Sequence, residues 1–103
     1  MIIGLSGPPG VGKTAVGTAL VRRFVGTATP LVVLDPVRTA DEARALRRSG
    51  AVIVWLVREG VDAPEDWPMC RSDADFVLRN DMHVEMTVTV LLTAARNLIK
   101  GRE

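Results

Sequence analysis

Residues 1–14 read MIIGLSGPPGVGKT, and this stretch decides the fold. An apolar run, Met1 to Leu5, leads into a glycine-rich turn. Lys13 and Thr14 then open a segment whose Val16, Ala19, Leu20 and Phe24 share one helical face. The spacing predicts a buried strand, a turn, and a helix from about Lys13 to Val25. Three more apolar runs follow: Leu31 to Leu34, Ala51 to Val57 and Ala74 to Leu78. They do not alternate with polar residues, which is the signature of strands covered on both faces. Helical segments separate them. Thr39-Ala40-Asp41-Glu42 reads as a capping box that starts a second helix, in which the Glu42 carboxylate reaches back to the cap, and Gly50 is placed to end it. A third helix follows Asp81 and runs to about Lys100, with Val84, Val88, Leu91, Leu92, Ala95 and Leu98 as its apolar stripe. Thr87-Val88-Thr89-Val90 also alternates like a strand. Residues 58–73 form one long loop, of the length that serves as a lid or binding segment. The order strand, helix, strand, helix, strand, loop, strand, helix predicts a single α/β domain over residues 1–103. It is a three-layer sandwich on a four-stranded parallel sheet. The first strand is expected at the centre, the Leu31–Leu34 strand on one side and the last two on the other.

Gly7-Pro8-Pro9-Gly10-Val11-Gly12-Lys13-Thr14 fits G-x-x-x-x-G-K-[ST] without mismatch, between a strand and a helix. The chemistry explains the spelling. Glycines let successive amides turn inward toward phosphate oxygens, and the helix N-terminus adds free amides and its positive dipole end. Lys13 supplies a point charge for the β- and γ-phosphates, and Thr14 a hydroxyl for Mg²⁺. ATP with Mg²⁺ is therefore the expected ligand, held by Gly7, Pro8, Pro9, Gly10, Val11, Gly12, Lys13 and Thr14. Asp35 ends the next apolar strand and can face the same crevice as a second metal-side group. Its other reading is a turn residue before Pro36.

Composition narrows the classes. The chain is 48% hydrophobic and 24% charged, which suits an ordinary globular domain and not a disordered one. Lysine plus arginine (13) nearly balances aspartate plus glutamate (12), so attachment to nucleic acid or membrane by bulk charge is not expected. One cysteine, Cys70, allows no internal disulfide, and one histidine, His83, makes a histidine metal site or triad improbable. The longest apolar run is far short of the ~20 residues of a membrane helix. With no signal-peptide pattern at the N-terminus, a cytoplasmic location is the expectation.

Residues 32–60, VVLDPVRTADEARALRRSGAVIVWLVREG, resemble the nucleoside monophosphate kinase group of P-loop proteins, the deoxynucleoside monophosphate kinases above all and dephospho-CoA kinases to a degree. The likeness lies in a strand ending in an acid, an arginine a short step later, an acidic helix start, a glycine, and an apolar strand ending in arginine. DADFVLRND, residues 73–81, is similar to that group's final strand and its asparagine. The resemblance implies a P-loop NTPase-like fold and transfer of the ATP γ-phosphoryl to a (deoxy)nucleoside monophosphate or similar small acceptor. It implies that Lys13, Asp35 and Arg38 are catalytic, with Arg38 on the acceptor phosphate. Thr14 and Asp35 would hold the metal, Arg58 would lie beside lid or phosphate, and Asn80 near the base.

One departure stands out. Such kinases carry a long acceptor-binding segment between the phosphate-loop helix and the acid-bearing strand; here only Gly26-Thr27-Ala28-Thr29-Pro30 fills that place. A homodimer in which Arg44, Arg47 or Arg48 reaches across is one way to complete the pocket. The competing readings are a regulatory module that binds nucleotide without transferring phosphate, and slow hydrolysis. Arg44, Arg47 and Arg48 otherwise read as a solvated face, Trp55 as core, Trp67 as loop packing, Cys70 as an ordinary thiol and His83 as surface.

Overall fold

The structure is a computed structural model that describes residues 1–102. Four strands, β1 (Ile2–Ser6), β2 (Val32–Leu34), β3 (Val52–Val57) and β4 (Phe76–Arg79), form one sheet in the order β2-β1-β3-β4. Every pairing is parallel, with Ile3 beside Val33 and Val52, and Val54 beside Phe76. Three helices complete the domain: α1 (Lys13–Phe24), α2 (Ala40–Arg48) and α3 (Val84–Arg102).

The alternating faces of β1 and β3 build two cores. Ile3, Leu5, Val52, Val54 and Leu56 meet Val16 and Leu20 of α1 and Val88, Leu91 and Leu92 of α3. Ile53 and Trp55 point the other way, against Val37, Ala43 of α2 and Met69 from the long loop. Helices thus cover both faces of the sheet. Only the two central strands are buried on both faces, however. Val32 in β2 and Val77 in β4 are exposed, because these strands are the sheet edges.

Local signals account for most boundaries. Thr39 Oγ1 accepts from Glu42 N at 3.1 Å and caps α2. The Glu42 carboxylate does not close the expected box; its Oε2 accepts from Arg38 N at 2.8 Å, one residue further back. The Thr87–Val90 stretch is helical, since Thr87 and Val88 are buried against the body of the domain. His83 is exposed, and its Nδ1 accepts from Glu85 N at 3.2 Å ahead of α3. The last strand begins at Phe76, later than the apolar run suggests, because Asp75 is used otherwise. Its side chain is 3% exposed. Asp75 Oδ2 accepts from Ile53 N at 2.7 Å, and Oδ1 receives Arg47 of α2 at 3.0 Å and Arg102 of α3 at 2.9 Å. Arg47 is thereby committed inside its own chain, and Arg44 bonds Asp41 on its own helix. No helix among the described residues is long and apolar enough to cross a membrane.

Candidate functional site

The C-terminal ends of β1 and β3 open the sheet where the chain reverses its direction of growth: β1 leads out to β2, and β3 leads out to β4. Ligands of open parallel sheets sit in that crevice. Here it is floored by residues 7–12. Gly7, Gly10 and Gly12 take positive φ values of 128°, 92° and 86°, a region side chains rarely enter. A Cβ at Gly7 would stand 2.6 Å from Leu56 O, and one at Gly12 would stand 2.5 Å from Asn80 Nδ2. Gly7 and Gly12 are thus required by backbone angle and by space together, and Gly10 by backbone angle alone.

Gly12 caps α1 with no side-chain hydrogen bond, and the first turn of α1 holds no acid. α2 is the opposite: Thr39 caps it, and Asp41 and Glu42 occupy its first turn. The same chain satisfies one helix start with its own side chains and leaves the other bare. Free amides and a positive dipole end remain over the loop, the arrangement that receives an anion.

From the β2 side come Asp35 and Arg38. After β2 the chain turns through a cis Asp35–Pro36 bond, and Val37 returns over β1, its N donating to Leu5 O at 2.8 Å. Thr14 Oγ1 donates to Asp35 Oδ2 at 3.2 Å. Lys13 Nζ donates to Gly7 O at 2.9 Å and Pro8 O at 3.0 Å, which uses two of its three donors. Partial burial pulls the Lys13 pKa below the usual lysine value; Asp35 works against that and Arg38 adds to it. The structure thus brings Lys13, Thr14, Asp35 and Arg38 to one crevice.

From the β3–β4 side come Arg58 and Asn80. Arg58 Nη1 donates to Gly10 O at 3.4 Å and its Nε to Asn80 O at 3.2 Å. Asn80 departs from what the resemblance implies. It is 3% exposed, and both ends of its amide are engaged within the protein. Nδ2 donates to Val11 O at 2.8 Å, and Oδ1 accepts from Thr87 Oγ1 at 3.0 Å. Its side chain is a prop beneath the loop. Thr87, fully buried, completes that prop, and nothing in the sequence sets it apart from Thr89 and Thr93 of the same helix.

Two recesses flank Lys13. One, lined by Thr14, Gly17, Thr18, Val21, Arg22 and Asp35, lies along α1. The other is a cleft of about 410 Å³ lined by Pro9, Lys13, Pro36, Arg38, Trp67 and Pro68. The Trp67 Nε1 is buried without an acceptor, so packing alone sets the angle of the indole. Thr14 and Asp35 offer two oxygen donors side by side. No group of three or more His, Cys, Asp or Glu among the described residues could hold a metal. That donor set fits a hard cation whose remaining ligands are phosphate oxygens and water, as Mg²⁺ is commonly bound.

No protein-family model matches the chain, and the searches of curated proteins and of solved structures find no match.

Proposed function

We infer that the chain is a small P-loop phosphotransferase: it binds ATP with Mg²⁺ on residues 7–14 and passes the γ-phosphoryl group to a (deoxy)nucleoside monophosphate or similar small acceptor. The observation that carries this reading is the placing of Lys13 between a bare helix start on one side and Asp35 and Arg38 on the other, beside an open cleft. In this reading the loop amides and Lys13 grip the phosphates, and Arg58 braces the loop from the β3 side. Thr14 and Asp35 would hold Mg²⁺, which supplies charge neutralisation for the transferring group. An acceptor phosphate oxygen forms the new bond to Pγ. The bond from Pγ to the β–γ bridging oxygen breaks, and ADP leaves with that electron pair. Such transfer asks for positioning and positive charge more than for covalent chemistry. Lys13 and Arg38 provide that charge.

A second reading has one observation in its favour. Between α1 and β2 the chain makes only a tight turn, with Thr27 N and Thr27 Oγ1 both donating to Phe24 O. No acceptor-binding segment is built there, which suits a module that holds nucleotide without transfer. The test is phosphoryl transfer from labelled ATP with Mg²⁺ to a panel of ribo- and deoxyribonucleoside monophosphates, beside Lys13→Ala. Diphosphate formation that Lys13→Ala abolishes supports the transferase. ATP binding with no product from any acceptor leaves the binding module.

A further inference from the structure

The loop from Arg58 to Asp73 builds a wall. Its course is pinned near both ends. Asp81 Oδ1 accepts from Glu59 N at 2.9 Å, and Asp73 Oδ2 accepts from Cys70 N at 2.9 Å. Met69 is 4% exposed and drops under the loop beside Ser6. The Ser6 hydroxyl, fully buried, donates to Val37 O at 2.8 Å and lies 3.1 Å from Met69 Sδ. One residue at the end of β1 therefore holds both the Pro36–Arg38 turn and the Trp67–Met69 stretch. Those two segments wall the cleft of about 410 Å³, with Pro9 and Lys13 completing its lining.

The lining is unusual in what it contains. Three prolines and an indole give flat apolar surface; Lys13 and Arg38 give two positive charges. No carboxylate, amide or hydroxyl side chain takes part. The volume lies in the range of small-molecule sites. Two cations call for an anionic head, and an indole among prolines calls for a flat ring. Reading the edge of a nucleobase needs paired donors and acceptors, and lysine and arginine offer donors only. The cleft is also continuous with the phosphate loop through Lys13 and Pro9.

We propose that this cleft, walled by the loop after β3, is the acceptor site, and that it takes phosphomonoesters carrying an aromatic ring without reading the ring's hydrogen-bonding edge. The proposal rests on the phosphotransferase reading. Arg38 holds the acceptor phosphate next to Lys13, and Trp67 holds the ring by its face. Stacking on the indole uses the face of the ring and not its edge, so purine and pyrimidine are held alike.

The experiment measures binding without ATP. Trp55→Phe leaves Trp67 as the one remaining tryptophan of two; its emission is followed on titration with AMP, GMP, CMP, dTMP and ribose 5-phosphate. Calorimetry on the unmodified chain repeats each titration, so the result does not depend on the Trp55 variant. The four nucleotides are expected to quench Trp67 with Kd values within about tenfold of one another, stacking being tolerant of base identity. Ribose 5-phosphate, which has no ring to stack, binds at least about tenfold more weakly. Arg38→Gln weakens all five by about tenfold or more, as loss of a charged phosphate contact does. Trp67→Ala erases the advantage of the nucleotides over ribose 5-phosphate, and Trp67→Phe keeps it. Silent Trp67 emission, a wider spread among the bases, or ribose 5-phosphate binding equally well overturns the proposal. If the monophosphates bind as described but labelled ATP yields no product, the cleft stands and the transferase reading falls. If product forms while Trp67 stays silent, the transferase stands and this cleft is not its acceptor site.

Discussion

Asn80 Nδ2 lies 2.5 Å from where a Cβ on Gly12 would be, so the prop beneath the glycine-rich loop occupies the space that any residue but glycine would need. Gly12→Ala must move Asn80 and also adopt a φ of 86°. We expect ATP affinity to fall at least about a hundredfold and stability to fall by about 2 kcal/mol or more, from left-handed strain together with the collision. Asn80→Ala avoids the collision but strands Val11 O and Thr87 Oγ1. Buried groups left without partners cost about 1–3 kcal/mol. Urea unfolding of Asn80→Ala, Thr87→Val and the pair should show losses that do not add, because both act on one network. Additive losses would mean that the prop is not a unit.

In the proposed reading, Thr14 and Asp35 bear on metal dependence. Asp35→Asn keeps an acceptor for the Thr14 hydroxyl but removes the charge. ATP binding without Mg²⁺ should change by less than about threefold, while the gain in affinity on adding Mg²⁺ should drop by about tenfold or more, as loss of a charge-assisted contact implies. Calorimetric titration with ATP, with and without Mg²⁺, reads both. An unchanged Mg²⁺ effect would remove Asp35 from the metal site.

Far from the crevice, Asp75 ties the start of β3 to Arg47 of α2 and Arg102 of α3. Both arginines are partly exposed, so most of the loss in Asp75→Ala comes from the stranded Ile53 N–H. A cost of about 2–3 kcal/mol follows, which lowers Tm by roughly 10–20 °C in a domain of this size. ATP affinity of the folded protein should not change. A Tm within a few degrees of the parent would show that the tie contributes little.

Two pH limits follow. The Glu59 amide, with the Arg79 guanidinium, holds the Asp81 carboxyl below the usual range. The Cys70 amide and thiol do the same for Asp73. Both groups have depressed folded values, so their stabilisation is full above the unfolded pKa near ~4 and is lost as pH falls through the folded values. Amide exchange at Glu59 and Cys70 should rise there ahead of the core. At the alkaline end, the lowered Lys13 pKa means that its charge is lost earlier than an ordinary lysine's. ATP affinity should start to decline below the pH expected for a free lysine, and the decline should vanish in Lys13→Ala. A decline that persists in the variant assigns it to another group.

The sheet was readable because its two central strands carry unbroken apolar runs, and only burial on both faces tolerates such runs. The position of Asp35 beside Lys13 was readable too, since strand ends in a parallel sheet share one edge; Arg38, past the turn after β2, was expected there only from the resemblance to nucleoside monophosphate kinases. Asn80 was not, because sequence tells that an amide stands at a strand end but not whether it faces ligand or loop. Thr87 hides among helical valines, and Trp67 looks like any aromatic in a proline-rich loop. The roles of Asn80 and Thr87 depend on contacts seven to sixty-nine residues apart in the chain. Pairings of that reach are set by how the elements pack.

The buried Ser6 hydroxyl touches both segments that wall the cleft while standing outside its lining. The width of that opening is thus a dimension set from below, like the gauge of a track fixed by its sleeper. Size tolerance for a bound molecule and chemistry performed on it are then separately adjustable. A change at Ser6 or Met69 resets the first, and in the proposed reading leaves the second with Lys13 and Asp35.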